Sequence, residues 1–187
     1  MERYRIVFSG SGGQGVITAS IILAEAAAIY EGLNAVQSQS YGAEARGGST
    51  RADVIISDRE IRFPKVNQPN ILVCLTQQAF NKFSGSIRPG GLLLTDSHFV
   101  QLERKVDARQ VELPMYQSVI KAMDKPTALN MCMLGAMLSL VPLVKTESIM
   151  KVLNEKTPAD FLGMNKDAFE IGRKLVVEAG IEPQELA

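Results

Sequence analysis

Six residues, Gly10-Ser11-Gly12-Gly13-Gln14-Gly15, constrain what this chain can fold into more than any other stretch. They follow an apolar run of Tyr4, Ile6, Val7 and Phe8 and open into an alanine-rich apolar segment, which reads as strand, tight turn, helix. Gly10, Gly12 and Gly15 keep the G-x-G-x-x-G spacing. In that spacing glycines permit a tight turn, close approach of the backbone to a ligand, and close packing of helix on strand. A helix starting there would also offer unpaired N–H groups to an anion. The same glycines are needed if turn geometry is their whole purpose, so the spacing leaves both readings open.

The segment Val16 to Tyr30 carries Ile17, Ile21, Leu23, Ala24, Ala27 and Ala28, a pattern for a well-buried helix that Gly32 stops. Asn34 to Gln39 reads as the next strand, completing a β-α-β unit with the usual right-handed crossover. A nicotinamide-binding domain would place an acid near the end of that strand, whereas this chain offers Gln37, Ser38, Gln39 and Ser40. That argues against a dinucleotide.

The least generic stretch follows: Tyr41-Gly42-Ala43-Glu44-Ala45-Arg46-Gly47-Gly48. One reading is an irregular connection with a surface contact between Arg46 and Glu44. The sharper one is a functional loop at the carboxyl ends of the strands, in which Arg46 presents a fork to a carboxylate or phosphate. Thr50 to Ser57 alternates as a strand, Asp58-Arg59-Glu60 turns the chain, and Ile61 to Phe63 is expected to return as a short antiparallel partner. Further strands are expected at Asn70 to Leu75, at Leu92 to Leu94 and at Gln110 to Leu113. Helices are expected from Gln77 to about Phe83 with Thr76 as cap, from Met115 to Met123, from Ala128 to Leu140, after a Thr146 cap, and from about Lys166 to Ala179. Gly172 in the last helix marks a close packing contact, and the tail after Glu182 should fray. The result is one α/β domain over residues 1–187, a Rossmann-like three-layer fold around a mixed, mostly parallel sheet.

Composition narrows the function by exclusion. Among 187 residues, 20 Lys and Arg balance 20 Asp and Glu, so no global basic field recommends nucleic acid as a partner. The two cysteines, Cys74 and Cys132, each lie in an apolar run and read as buried thiols of a reducing, cytoplasmic setting. Two Cys and one His, His98, do not suffice for an iron–sulfur cluster or a closed zinc site. Asp96, Ser97 and His98 are consecutive, point in different directions and read as a turn rather than a hydrolytic triad. The run Asn130 to Val144 is broken by Asn130, Gly135, Ser139 and Pro142, which speaks against membrane insertion. The apolar Ala128 to Leu140 helix is either central or covered by another subunit.

The glycine turn through Val16 and the run Gln37-Ser-Gln-Ser-Tyr41-Gly-Ala-Glu44-Ala-Arg46-Gly-Gly48 together resemble the gamma subunit of 2-oxoacid:ferredoxin (acceptor) oxidoreductases. The resemblance covers nearly the whole chain, including the expected Asp53-to-Phe63 hairpin and the Asn165-to-Gly172 segment, and is nearest to the 2-oxoglutarate type. It implies a non-catalytic subunit of an enzyme that oxidatively decarboxylates a 2-oxoacid, forms acyl-coenzyme A and reduces ferredoxin or another low-potential acceptor. The partners implied are alpha, beta and ferredoxin-like delta subunits, which would hold thiamine diphosphate, Mg and the iron–sulfur clusters. For this chain it implies assembly and access to coenzyme A. The binding residues expected are Gly10, Gly12, Gly13, Gln14 and Gly15 in the turn, then Tyr41, Glu44, Arg46, Gly47, Gly48 and Arg51, with Arg46 and Arg51 as the charge-assisted contacts. The alternatives are a stand-alone nucleotide-binding module and a purely structural subunit; homodimer formation by the isolated chain stays open.

Overall fold

The computed structural model describes residues 3–40 and 49–186. Six strands form one sheet: β1 (Tyr4–Gly10), β2 (Asn34–Ser40), β3 (Thr50–Ser57), β4 (Ile71–Cys74), β5 (Gly91–Asp96) and β6 (Ala108–Leu113). Their order is β2-β3-β1-β4-β5-β6. The β1–β4, β4–β5 and β5–β6 pairs are parallel, while β3 runs antiparallel to both β1 and β2. The sheet is therefore mixed and mostly parallel, as expected, but the antiparallel member is not the one the sequence suggests. Ile61 to Phe63 forms no strand; β3 itself inserts between β1 and β2, which separates the two strands of the anticipated β-α-β unit.

Six helices cover the sheet: α1 (Val16–Glu25), α2 (Gln77–Phe83), α3 (Met115–Met123), α4 (Leu129–Leu140), α5 (Thr146–Lys156) and α6 (Ala159–Glu178). Successive strand residues point to opposite faces. Ile6, Phe8, Val54, Ile56, Leu92 and Leu94 meet α1 and α3 to α6 on one side, whereas Val7, Ile55, Leu72 and Leu93 meet Ala79, Phe80 and Phe83 of α2 on the other. The first helix continues from α1 into a π-helical turn, Ala26–Tyr30, before Gly32 ends it at φ 66°. Thr76 caps α2 by accepting the N–H of Ala79 at 3.2 Å.

Helix α4 is apolar all round because the chain surrounds it: of its residues only Ser139 is not buried. Its apolar surface is spent inside the domain, against α6, α1 and α3, and not on a partner. The α4–α6 crossing is made by two glycines. A Cβ on Gly135 would lie 2.1 Å from the carbonyl oxygen of Phe169, and one on Gly172 would lie 1.8 Å from that of Cys132. Gly172 thus marks the close contact its sequence position suggested.

Three boundaries differ from the sequence reading. Helix α6 begins at Ala159 rather than near Lys166, because its first turns are largely exposed and carry no apolar period to read. Thr146 does not cap α5; Glu31 reaches across to accept the Lys145 N–H at 3.0 Å and the Ser148 hydroxyl. The tail does not fray at Glu182: the Gln184 N–H donates to Leu140 O at 2.7 Å, its side chain donates to Gly90 O at 3.1 Å, and Leu186 is buried.

Candidate functional site

Strand β1 delivers the chain to Gly10 at the carboxyl edge of the sheet. Helix α1 then packs on one face, while the neighbouring parallel strand β4 leads into α2 on the other face. Two adjacent strands whose helices diverge in this way define a topological switch point, where open α/β sheets leave a crevice for ligands. The glycine turn occupies it.

Gln14 spans that crevice from within. Its Oε1 accepts the Ser11 N–H at 2.7 Å and its Nε2 donates to the carbonyl of Leu75, just past β4, at 3.1 Å. Leu75 in turn donates its N–H to Ser9 O at 2.8 Å. Gln14 is thus an internal brace, not a side chain presented outward. Gly10 makes room for it, since a Cβ there would meet Gln14 Oε1 at 2.5 Å and Leu75 Cβ at 3.3 Å.

Gly15, at φ 70°, precedes α1 in the left-handed region, and a Cβ on it would strike Asn130 Nδ2 at 2.5 Å. Its close contact is with Asn130, at the start of α4, rather than with a strand. Asn130 Oδ1 accepts the N–H of Met131 at 2.8 Å, and its Nδ2 leans on Gly15 O at 3.4 Å. Gly12 and Gly13 differ from their neighbours: a Cβ at either would meet nothing within 4 Å among the described residues. No bond among the described residues uses the N–H of Gly12, Gly13 or Gly15, and α1 has no side-chain cap. The apex therefore presents several unspent N–H groups at the positive end of α1 to open space, an arrangement suited to an anionic oxygen.

The strand residues that flank the second motif meet the first through the sheet. In register Gly10 faces Thr50, Ser9 faces Arg51, and Ser40 also faces Arg51, while Ser9 Oγ donates to Thr50 O at 3.1 Å. Ser40 at the end of β2 and Thr50 at the start of β3 therefore lie at the same edge of the sheet as the glycine turn. Tyr41, Glu44, Arg46, Gly47 and Gly48 lie outside the described residues. At its border, the hydroxyl of Ser49 is shut off from solvent without a hydrogen-bond partner among the described residues.

Arg51 is close in register but turned away. Its guanidinium makes a two-pronged pair with Asp53, Nε to Oδ1 at 2.7 Å and Nη2 to Oδ2 at 3.0 Å, donates to the carbonyl of Val66, and lies 5.2 Å above the ring of Phe83. It belongs to the α2 side of the sheet. A ligand would have to compete with Asp53 for it.

Farther along the same edge, Asp96 ends β5 fully buried. Its two oxygens accept the N–H groups of His98 at 2.8 Å and Tyr116 at 2.7 Å. Burial raises its pKa, against the opposing pull of those two bonds. Nearby, Cys132 is pushed up to about 12 by burial and by Asp96, and burial raises Cys74 as well, so both thiols stay protonated and inert. The His98 ring stacks on Tyr116 with centroids 4.7 Å apart, and Asp96 binds the backbone of His98 rather than its ring. This is a local turn, as the adjacency of Asp96, Ser97 and His98 implied; that Asp96 also takes the first-turn N–H of Tyr116 in α3 was not legible in the sequence. Asn130 and Asp53 are the two functional-site residues that sequence reasoning missed. The only signal at Asn130 was polarity inside an apolar run, while Asp53 sits on the more polar face of an alternating strand, where a carboxylate is unremarkable.

A glycine turn at the switch point of an open α/β sheet defines a Rossmann-like α/β domain. Residues 5–175 match the pyruvate ferredoxin/flavodoxin oxidoreductase family, and the chain belongs to it. It is 41% identical over 178 residues to the 2-oxoglutarate synthase subunit KorC of Methanocaldococcus jannaschii, covering 94% of this chain and 95% of that one. The gamma subunit of a keto/oxoacid ferredoxin oxidoreductase from Geobacter sulfurreducens has 38% identity, a TM-score of 0.84, and coverage of 94% of this chain and 99% of its own. The fold also recurs, at 23% identity and TM-score 0.83, over all of this chain and 34% of a chain of the 2-oxoglutarate:ferredoxin oxidoreductase of Magnetococcus marinus, solved with 2-oxoglutarate, coenzyme A and succinyl-CoA bound.

Proposed function

We propose that this chain is the gamma subunit of a multisubunit 2-oxoglutarate:acceptor oxidoreductase, acting in the cytoplasm, and that its glycine turn contributes to holding coenzyme A. The observation that carries the second part is the Gly12–Gly13 apex, open to solvent and backed by unspent N–H groups. Those groups fit a phosphate oxygen, while Gly10, Gln14 and Gly15 support the apex from below and Asn130 fixes where α1 starts. Coenzyme A, where bound, supplies the thiol that takes the acyl group. The residues of this chain bind and orient; thiamine diphosphate, Mg and the iron–sulfur clusters belong in the alpha, beta and delta partners, and electrons leave to ferredoxin or a similar acceptor. Arg46 is the cation proposed to reach the phosphate, and Tyr41, Glu44, Gly47 and Gly48 its setting. Arg51 is the weaker candidate because Asp53 already holds it.

The experiment is recovery of the chain from its native cell with whatever travels with it, followed by an assay of 2-oxoglutarate- and coenzyme A-dependent dye reduction. The expected result is an active assembly with thiamine-binding and iron–sulfur subunits. Replacing Gly12 with Val should then raise the KM for coenzyme A while leaving assembly intact. Recovery of the chain alone, inactive, would overturn the subunit reading in favour of a free nucleotide-binding module. Lost assembly with an unchanged KM in any residual complex would make the turn purely structural.

A further inference from the structure

Away from the glycine turn, residues 59–66 leave β3 and run over the α2 face of the sheet without becoming a strand. Hydrogen bonds tie this strap down along its length. Arg3 Nη2 donates to Glu60 O at 3.0 Å, Ser38 Oγ to Pro64 O at 3.0 Å, and the Val66 N–H to Asp53 Oδ2 at 3.1 Å. Ile61 and Val66 turn inward onto the core beneath α2. Between them Phe63 keeps 58% of its surface in solvent, and the adjacent Arg62 side chain is 85% exposed. A large ring held mostly outward by an anchored backbone leaves more than half of its surface unused by this chain's own packing; aromatic and arginine side chains in such a position are what protein interfaces are enriched in.

Beside the strap three arginines gather at the amino ends of the strands. Arg5 stands opposite Ile55 in the sheet and so faces the strap's side. Its N–H donates to Asn70 Oδ1 at 3.0 Å, its carbonyl accepts the Asn70 N–H at 2.8 Å, and the preceding Pro69 carbonyl accepts the Arg88 N–H at 2.9 Å. Arg88 and Arg5 thereby flank one short segment, and Arg3, two residues before Arg5, ties this group to the strap through its bond to Glu60 O. Among the described residues no ion pair involves Arg3, Arg5 or Arg88, and the Glu60 carboxylate goes to Arg62 instead. Burial, then the like charges of Arg88 and Arg3, pull the Arg5 pKa down. Asp58, Glu60 and Asp107 lie on the adjoining segments, but Arg3, Arg5, Arg59, Arg62, Lys65 and Arg88 outnumber them.

We infer that the 59–66 strap and the arginines beside it form a docking surface for an acidic face of another protein subunit, with Phe63 as apolar anchor and Arg62, Arg5 and Arg88 as charge partners. The carboxylates interleaved with these cations fit a protein face of mixed charge better than a polyanion such as nucleic acid, which calls for an unbroken basic field. The inference rests on the subunit reading, since it needs a partner.

The test compares backbone hydrogen exchange of residues 59–65 in the isolated chain and in the assembly purified from its native cell. It also measures co-recovery of a chain carrying R62E, F63A and R88E, all on exposed or half-buried side chains. Exchange in the strap should slow on assembly, and co-recovery of the variant should fall at least about tenfold, with high salt weakening the wild-type contact. The isolated variant should melt as the wild type does. Unchanged exchange on assembly, or wild-type co-recovery of the variant, would overturn the inference while leaving the subunit reading standing. Protection that arises in the isolated chain only as its concentration rises, or only with anionic vesicles or nucleic acid, would overturn it in favour of those occupants. A wild-type chain that travels with no other protein would remove the subunit reading itself, and this inference with it.

Discussion

Gln14 joins the turn after β1 to the end of β4: one amide oxygen accepts the Ser11 N–H, and the amide nitrogen of the same side chain donates to the carbonyl of Leu75. At pH 7 a carboxamide does both at once, whereas a carboxylate of the same length only accepts. Gln14→Ala should cost about 1–2 kcal/mol in unfolding free energy by stranding both partners. Gln14→Glu keeps the acceptor but loses the donor and sets a carboxylate against Leu75 O. It should therefore be the worse of the two at pH 7 and recover as pH falls through the carboxylate range. Urea titrations at several pH values read this, and equal stability of both variants at all pH values would show that the bridge carries no weight.

The four glycines of the turn should separate by role. Gly12 has no neighbour for a Cβ among the described residues and no left-handed backbone, so Gly12→Ala should change stability by less than about 0.5 kcal/mol. Gly15→Ala meets both the strained φ of 70° and Asn130, and should cost at least about 2 kcal/mol. Thermal melts of the two variants suffice, and a Gly15→Ala protein as stable as wild type would remove Asn130 from the account of the site.

Helix α6 supplies its own control for the α4 crossing. Gly172→Ala would push a methyl group to 1.8 Å from Cys132 O, so the helices must part and the cost should exceed about 3 kcal/mol, enough to abolish soluble expression in a marginal domain. Gly163→Ala lies in the same helix with nothing within 4 Å, and should stabilise by about 0.5–1 kcal/mol through helix propensity alone. If both substitutions are tolerated equally, the crossing is not as close as the geometry has it.

Glu31 and Asp96 should titrate with opposite sign. The Ser148 hydroxyl lowers the Glu31 pKa most; burial opposes it, and the Lys145 N–H with the charges of Lys145 and Lys151 leaves the net shift downward. Its contribution is therefore present above the unfolded carboxylate pKa and lost as pH falls through the folded one. The stability gap between wild type and Glu31→Gln, about 1 kcal/mol at pH 7, should close on acidification. Asp96 is raised by burial, so its contribution is greatest in acid and declines as pH rises through its folded pKa. The gap between wild type and Asp96→Asn should move in the other direction over the same range. Denaturant midpoints from pH 7 to pH 3 read both, and parallel curves for the two pairs would contradict the assignment.

By itself the sequence determined what is local. Glycines at 10, 12 and 15 between a strand and an apolar helix can make only a few turns, and Thr76, Gly32 and the Met115–Met123 period set their boundaries through short-range bonds and sterics. Gly172 announced a close contact because a helix tolerates an interior glycine only for a reason. What the tertiary structure decided is every choice between distant partners of equal local merit. Nothing in residues 50–57 states that β3 will enter between β1 and β2, because an alternating strand pairs as well on either side. Gln14 reads as a ligand contact until Leu75 O appears within its reach, and Arg51 as a phosphate fork until Asp53 and the Val66 carbonyl claim it. The apolar α4 reads as either central or an interface until α6 closes over it through two glycines. Periodicity reports that a face must be buried or a polar group satisfied, and only the folded chain says by what.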